Sequence, residues 1–143
     1  MDCFIIYQFM YLILDELNED NKNEALVTYL TDANPFMREG ENSVDVLVYD
    51  DFKEKYEIYE NHDDYSYEFI CFYLKNLDSF YGDIFSIFSS LTKDEYIETC
   101  KNILENYPEQ LKIMWNSEMF LIKHGVFNKN SNVSLIIPDF LSH

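Results

Sequence analysis

The side chains in this sequence that could carry chemistry are three histidines, three cysteines and 27 carboxylates. His62, His124 and His143 stand far apart, and no HExxH or other paired-histidine spacing places two metal ligands on one helix face. His62-Asp63-Asp64 offers metal-binding residue types, but adjacent residues point apart, so the run reads better as a polar helix cap. An EF-hand loop is excluded by the missing glycine and alternating carboxylates. Cys3, Cys71 and Cys100 are odd in number and form no CxxC pair, which predicts reduced thiols and a cytoplasmic protein. Cys71 and Cys100 fall within apolar stripes, where a thiol is expected to be buried rather than reactive. A Cys–His nucleophile pair stays open at this level, although its cysteines occupy core-facing positions. Paired hydrolytic carboxylates carry no information when so many acids are available. Glycine numbers only three, and GxGxxG, GxxxxGK and GxSxG are all absent. The expectation is a protein that is not an enzyme and uses no cofactor or metal.

The charge balance is more informative. Ten Lys and Arg against 27 Asp and Glu give a net charge of -17, and Arg38 is the one arginine. A nucleic-acid binder needs a basic footprint to displace counterions, so direct binding to DNA or RNA is not expected. The same charge argues against an anionic membrane surface as a partner. A cationic protein, in contrast, is attracted over long range. The acids are concentrated: residues 32–68 hold twelve acids and three basic residues, a net of -9.

Scarce glycine and proline point to helices joined by short connections, and 143 residues suit one domain, taken as 1–143. Phe4 to Leu14 is almost wholly apolar. It is too short to span a bilayer and lacks the basic start of a signal peptide, so it reads as a buried helix with a central strand as the alternative. Asn21 with Glu24 predicts an N-cap for a helix over Lys22–Asp32, which must stop before Asn34-Pro35. Met37–Asn42 reads as a polar turn, and Ser43 as the cap of the next helix. On that helix Val46, Tyr49, Phe52, Tyr56 and Tyr59 step by 3, 3, 4 and 3 as an apolar stripe. Helices are also predicted over Tyr65–Leu77 and Tyr81–Ser90, and after the Thr92-Lys93-Asp94-Glu95 capping box up to Tyr107. A further helix is expected from Pro108 to about Lys123, with Gly125 as its stop and a possible strand at Val133–Ile137. The fold class is all-α, with about six or seven helices and at most a small terminal β element.

Asp50, Glu54 and Glu57 step by 4 and 3 along the helix after Ser43, on the side away from Val46 and Tyr56. Asp45 and Asp51 flank this stripe, and Glu60, Asp63 and Asp64 extend it. Such a run can be a solvated face laced with pairs such as Asp51–Lys55. It can equally be a docking face for a basic protein, with Tyr49, Tyr59 or Tyr65 as anchors.

The order of motifs also resembles a known group. Asp32-Ala33-Asn34-Pro35-Phe36, then Asn42-Ser43-Val44-Asp45, then Val48-Tyr49-Asp50-Asp51-Phe52 and Lys55-Tyr56 look like small bacterial immunity proteins of contact-dependent inhibition, which neutralise secreted ribonuclease toxins. The Tyr67–Phe69 segment and the Thr92-Lys93-Asp94-Glu95-Tyr96 helix start follow in similar order, so the resemblance spans about residues 24–107. It implies a protein that binds its cognate toxin and blocks the active site. Toxin-contacting residues vary with the toxin, so none is carried over. Asp45, Tyr49, Asp50, Asp51, Glu54, Glu57, Asp63 and Asp64 are the partner-binding residues expected from charge and spacing. The alternative is an acidic DNA mimic that inhibits a restriction or CRISPR enzyme. A mimic needs carboxylates spread like phosphates, about one per 1.7 Å of duplex axis, and here they cluster in one third of the chain.

The purified protein should not retard DNA or RNA in a gel at moderate salt, and micromolar binding to either would contradict the inhibitor reading.

Overall fold

Burial of the first apolar run sets the centre of the fold. A computed structural model describes residues 3–21, 23–35 and 41–106. The run lies within helix α1 (Cys3–Asp20), not a strand, and Ile6, Tyr7, Met10 and Leu14 are fully buried. Gln8, the one polar residue in the run, is buried as well, and its amide nitrogen has no hydrogen-bond partner. Helix α1 contacts α2 (Glu24–Ala33), α3 (Val46–Ile58), α5 (Phe85–Phe88) and α6 (Lys93–Glu105), while α4 (Tyr67–Leu77) packs on α3, α5 and α6. The described residues contain six helices and no strand, so the fold is all-α. None of these helices is long and apolar enough to cross a membrane.

The local signals explain most of the boundaries. The Thr92 capping box forms as expected, with Glu95 and Thr92 bonding each other's backbone N–H. Helix α2 begins two residues later than the Asn21 cap would place it. Asn23 is the cap, and its side-chain oxygen accepts from the N–H groups of Ala25 and Leu26. Asn21 instead donates its amide to the Leu17 carbonyl at the end of α1. Asn34, with ψ 117°, is extended as Pro35 requires, and α2 stops there.

The entry to α3 differs from expectation. Its N-cap is Asp45, whose carboxylate accepts from Leu47 N–H, whereas Ser43 is fully buried. The Ser43 hydroxyl accepts from Tyr49 N–H at 3.0 Å and donates to the Asp45 carbonyl. Two backbone bonds, Val44 N–H to the Asn34 carbonyl and Asp45 N–H to the Asp32 carbonyl, seat this corner on the end of α2. The buried face of α3 is Val48, Tyr49 and Phe52, so Val46 is not in the core stripe and is 38% exposed. Tyr59 lies just beyond the helix as its C-cap.

The region before α6 is tighter than the sequence suggests. Helix α5 is a single turn rather than a helix over Tyr81–Ser90, because Gly82 adopts φ 114° and Asp78 turns inward to accept from Ile84 and Phe85 N–H. The predicted helix after Pro108, the Val133–Ile137 strand, His124, His143 and most of the Met37–Asn42 turn lie outside the described residues.

Aromatic rings fill much of the core. Phe52 meets Tyr7 and Tyr73 at 4.9 Å and Phe69 at 5.2 Å, all edge-on. Such pairs add about 0.5–1.5 kcal/mol beyond area burial. Tyr29 and Tyr73, both fully buried, share a hydrogen bond between their hydroxyls at 3.0 Å. Tyr29→Phe should therefore strand the Tyr73 hydroxyl in a dry core and lower stability by about 1–3 kcal/mol. Tyr29→Phe/Tyr73→Phe should be less destabilised than the sum of its single variants, since neither hydroxyl is left alone. Urea unfolding of the four proteins checks this, and simple additivity would contradict it.

Candidate functional site

The rotation of α3 about its axis is fixed from inside. Tyr49 is 3% exposed and its ring lies 4.9 Å from Tyr7 and 5.2 Å from Phe4, which pins that side of the helix to α1. Tyr49 is thus a core residue and not a surface anchor. Its amphipathic side chain satisfies both readings in sequence, and only the tertiary contacts separate them.

With Tyr49 and Phe52 inward, Asp50, Glu54 and Glu57 are exposed, as expected, but Val46 shares their side of the helix instead of opposing it. At 3.6 residues per turn, Leu47, Asp50, Glu54, Glu57 and Ile58 share an arc of roughly 100° on the outward face. Leu47 is 70% exposed and Ile58 72% exposed, one at each end of the helix. The arc therefore presents three carboxylates between two apolar side chains. The acids are legible in the sequence and the two aliphatics are not, because neither belongs to the core-facing stripe. A large apolar residue at the phase of the acid stripe was the available clue.

The remaining candidates behave differently. Asp51 is partly buried and pairs with Lys55 at 2.8 Å, the i,i+4 pair expected of a solvated helix edge. Asp45 is exposed but already serves as the α3 cap. Asp64 is exposed in the loop between α3 and α4.

Asp63 holds that loop together. One carboxylate oxygen accepts from Tyr65 N–H at 3.0 Å and Tyr67 N–H at 3.2 Å, while the other lies 3.3 Å from Lys93 at the start of α6. Lys93 also bonds Glu68. Ser66, beside them, is a buried non-glycine residue in the left-handed region at φ 52°, a conformation the Asp63 bonds help to hold. Burial alone would raise the Asp63 carboxyl, but the Lys93 ammonium and the Tyr65 N–H outweigh that and hold it below the usual range.

Two of the three thiols, Cys71 and Cys100, are placed against nucleophilic catalysis. Cys100 is buried and pushed up to about 12 by that burial, and burial also raises Cys71. A nucleophilic thiol needs the opposite shift. Among the described residues no group of three His, Cys, Asp or Glu could hold a metal ion. The outward arc offers exposed carboxylates and exposed aliphatics and holds no basic residue. No protein-family model matches the chain, and neither a curated protein nor a solved structure matches it.

The Asp63 geometry predicts a pH signature. A lowered folded value means that the stabilisation is present above the unfolded carboxyl value, about 3.9, and is lost as pH falls through the folded one. Asp63→Asn keeps an oxygen for the two N–H groups but loses the attraction to Lys93. It should unfold at lower urea than wild type at pH 7, and the difference should shrink as pH falls below about 4. Asp63→Ala also loses the two bonds from Tyr65 and Tyr67 N–H and should cost about 1 kcal/mol or more at pH 7. Equal midpoints for all three proteins at pH 7 would refute this role.

Proposed function

We propose that this protein is an immunity protein: a stoichiometric inhibitor that binds a cationic toxin, in the first place a nuclease, and occludes its active cleft. The observation that carries the reading is the outward arc of α3, with Asp50, Glu54 and Glu57 framed by exposed Leu47 and Ile58. A nuclease cleft that holds phosphate must present Lys, Arg or His, and a fixed acidic arc is its electrostatic complement. Attraction of this kind raises association rates toward about 10⁸–10⁹ per molar per second at low salt. The aliphatic residues supply the area that becomes dry on contact, where affinity concentrates.

The resemblance to contact-dependent-inhibition immunity proteins supports the same reading, and its motif residues have structural work here. Asp32, Asn34, Ser43 and Asp45 build the corner that launches α3. A scaffold held by such residues can keep its shape while the exposed face changes with the toxin. Action in the cytoplasm, where a delivered nuclease meets its substrate, belongs to this proposal.

The test is reversal of the arc. Asp50→Lys/Glu54→Lys/Glu57→Lys should leave the circular dichroism unchanged, since exposed substitutions shift stability by within about 0.5 kcal/mol each. The partner to use is the C-terminal domain of the protein encoded immediately upstream, provided that protein is large and secreted and its C-terminal domain is cationic. Association of the wild type should slow as salt is added. The triple variant should associate at least tenfold more slowly and lose protection of toxin-challenged cells. A triple variant that binds and protects like wild type at low and high salt would overturn the proposal.

A further inference from the structure

The loop after α3 and the adjoining face of α4 carry a partly exposed aromatic patch at the edge of the core, which the acidic arc does not account for. We propose that this patch, Tyr59, His62 and Phe72, receives an arginine side chain of the basic partner. The inference rests on the inhibitor reading and names the chemistry at the edge of the same surface.

Buried Phe69 forms the floor, with ring centroids 5.4 Å from Tyr59, 6.0 Å from His62 and 6.3 Å from Phe72. Tyr59 bridges the other two, at 5.7 Å from His62 and 5.2 Å from Phe72. His62 is exposed and Phe72 is 40% exposed, and strongly exposed Ile58 leads into the patch from α3. Three rings held in one cluster with part of their surface in water are more than scattered apolar residues.

Charge decides what fits them. From Lys55 to Lys75 the chain has five acids and no intervening Lys or Arg. Lys93 takes up Asp63 and Glu68, and Lys75 lies over the Phe85 ring at 4.7 Å. Among the described residues no ion pair involves Glu57, Glu60 or Asp64. An incoming cation would meet aromatic rings with uncompensated carboxylates close by in the chain. A guanidinium suits this combination better than an ammonium. It is planar and weakly hydrated, it stacks on rings, and its fork reaches a carboxylate at the same time. A second copy of this chain would bring another -17 toward the same acids, so self-association is the poorer match.

Hexa-arginine and hexalysine peptides, titrated into the isotope-labelled full chain and followed by NMR, test the proposal. Hexa-arginine should perturb the ring signals of Tyr59, His62 and Phe72, show cross-relaxation from its side-chain methylenes to those rings, and bind more tightly than hexalysine. Tyr59→Leu and Phe72→Leu keep apolar volume without a ring. Each should weaken hexa-arginine by about two- to fivefold and leave hexalysine unchanged. His62→Gln gives an independent variant, in an exposed loop, if either leucine disturbs the fold.

Hexa-arginine that perturbs only the Asp50, Glu54 and Glu57 region, with equal affinity for all variants, would overturn the arginine site and leave the acidic-arc reading standing. Failure of both peptides to bind would overturn the two together. Ring signals that move with protein concentration alone would assign the patch to a second copy and overturn the proposal.

Discussion

The Tyr7 hydroxyl donates to the Ala33 carbonyl at 2.6 Å, and that bond sits where three helices meet. Tyr7 belongs to α1, Ala33 is the last residue of α2, and the Tyr7 ring touches Tyr49 and Phe52 of α3 at 4.9 Å. An end-of-helix carbonyl has no partner within its own helix, so a buried phenol that meets it removes a desolvation penalty on both sides. Burial keeps the Tyr7 phenol well above its ordinary pKa, so it remains a neutral donor. The backbone bonds from Val44 and Asp45 then close the same corner. With the end of α2 and the start of α3 fixed against α1, the phase of α3 is no longer free, and Asp50, Glu54 and Glu57 must face water.

This arrangement explains how a chain with net charge -17 tolerates so many acids near one corner. Like charges oppose compaction, and the fold meets that opposition with aromatic burial rather than with internal ion pairs. The described ion pairs recruit only two lysines. Lys55 answers Asp51, and Lys93 answers Asp63 and Glu68 at the seam between the α4 entry and α6. The carboxylates of the outward arc are left out of that neutralisation. An exposed charge without a partner contributes little to stability, so its placement is free to serve binding.

Much of the fold was legible in the sequence because it is written in local terms. The Thr92 capping box, the Asn34-Pro35 stop and the apolar run of α1 each act within a few residues. What was not legible depends on distant contacts. Asn21 and Asn23 can both cap a helix, and the choice is tied to the Asn23 amide bonding the Asp83 carbonyl 60 residues away. Val46 and Val48 are equivalent by type, and the corner built by Ser43 decides which is buried. Tyr49 has the composition of an interface anchor and is instead packed against Phe4 and Tyr7. The acidic stripe was readable because exposure is the default for carboxylates. Leu47 and Ile58 stand off the core-facing stripe, and only their phase with the acids marked them, while Phe72 was not legible because sequence assigns aromatic side chains to the core.

The central claim is that the outward arc of α3 is the face that meets the partner. Carboxyl footprinting measures it most directly: carbodiimide labelling of Asp and Glu, read by mass spectrometry, in the free protein and in complex with the toxin domain. The account expects Asp50, Glu54 and Glu57 to label in the free protein and to be protected in the complex, while exposed Glu16, Glu98 and Glu105 label in both. Equal labelling of Asp50, Glu54 and Glu57 with and without the bound toxin would contradict it.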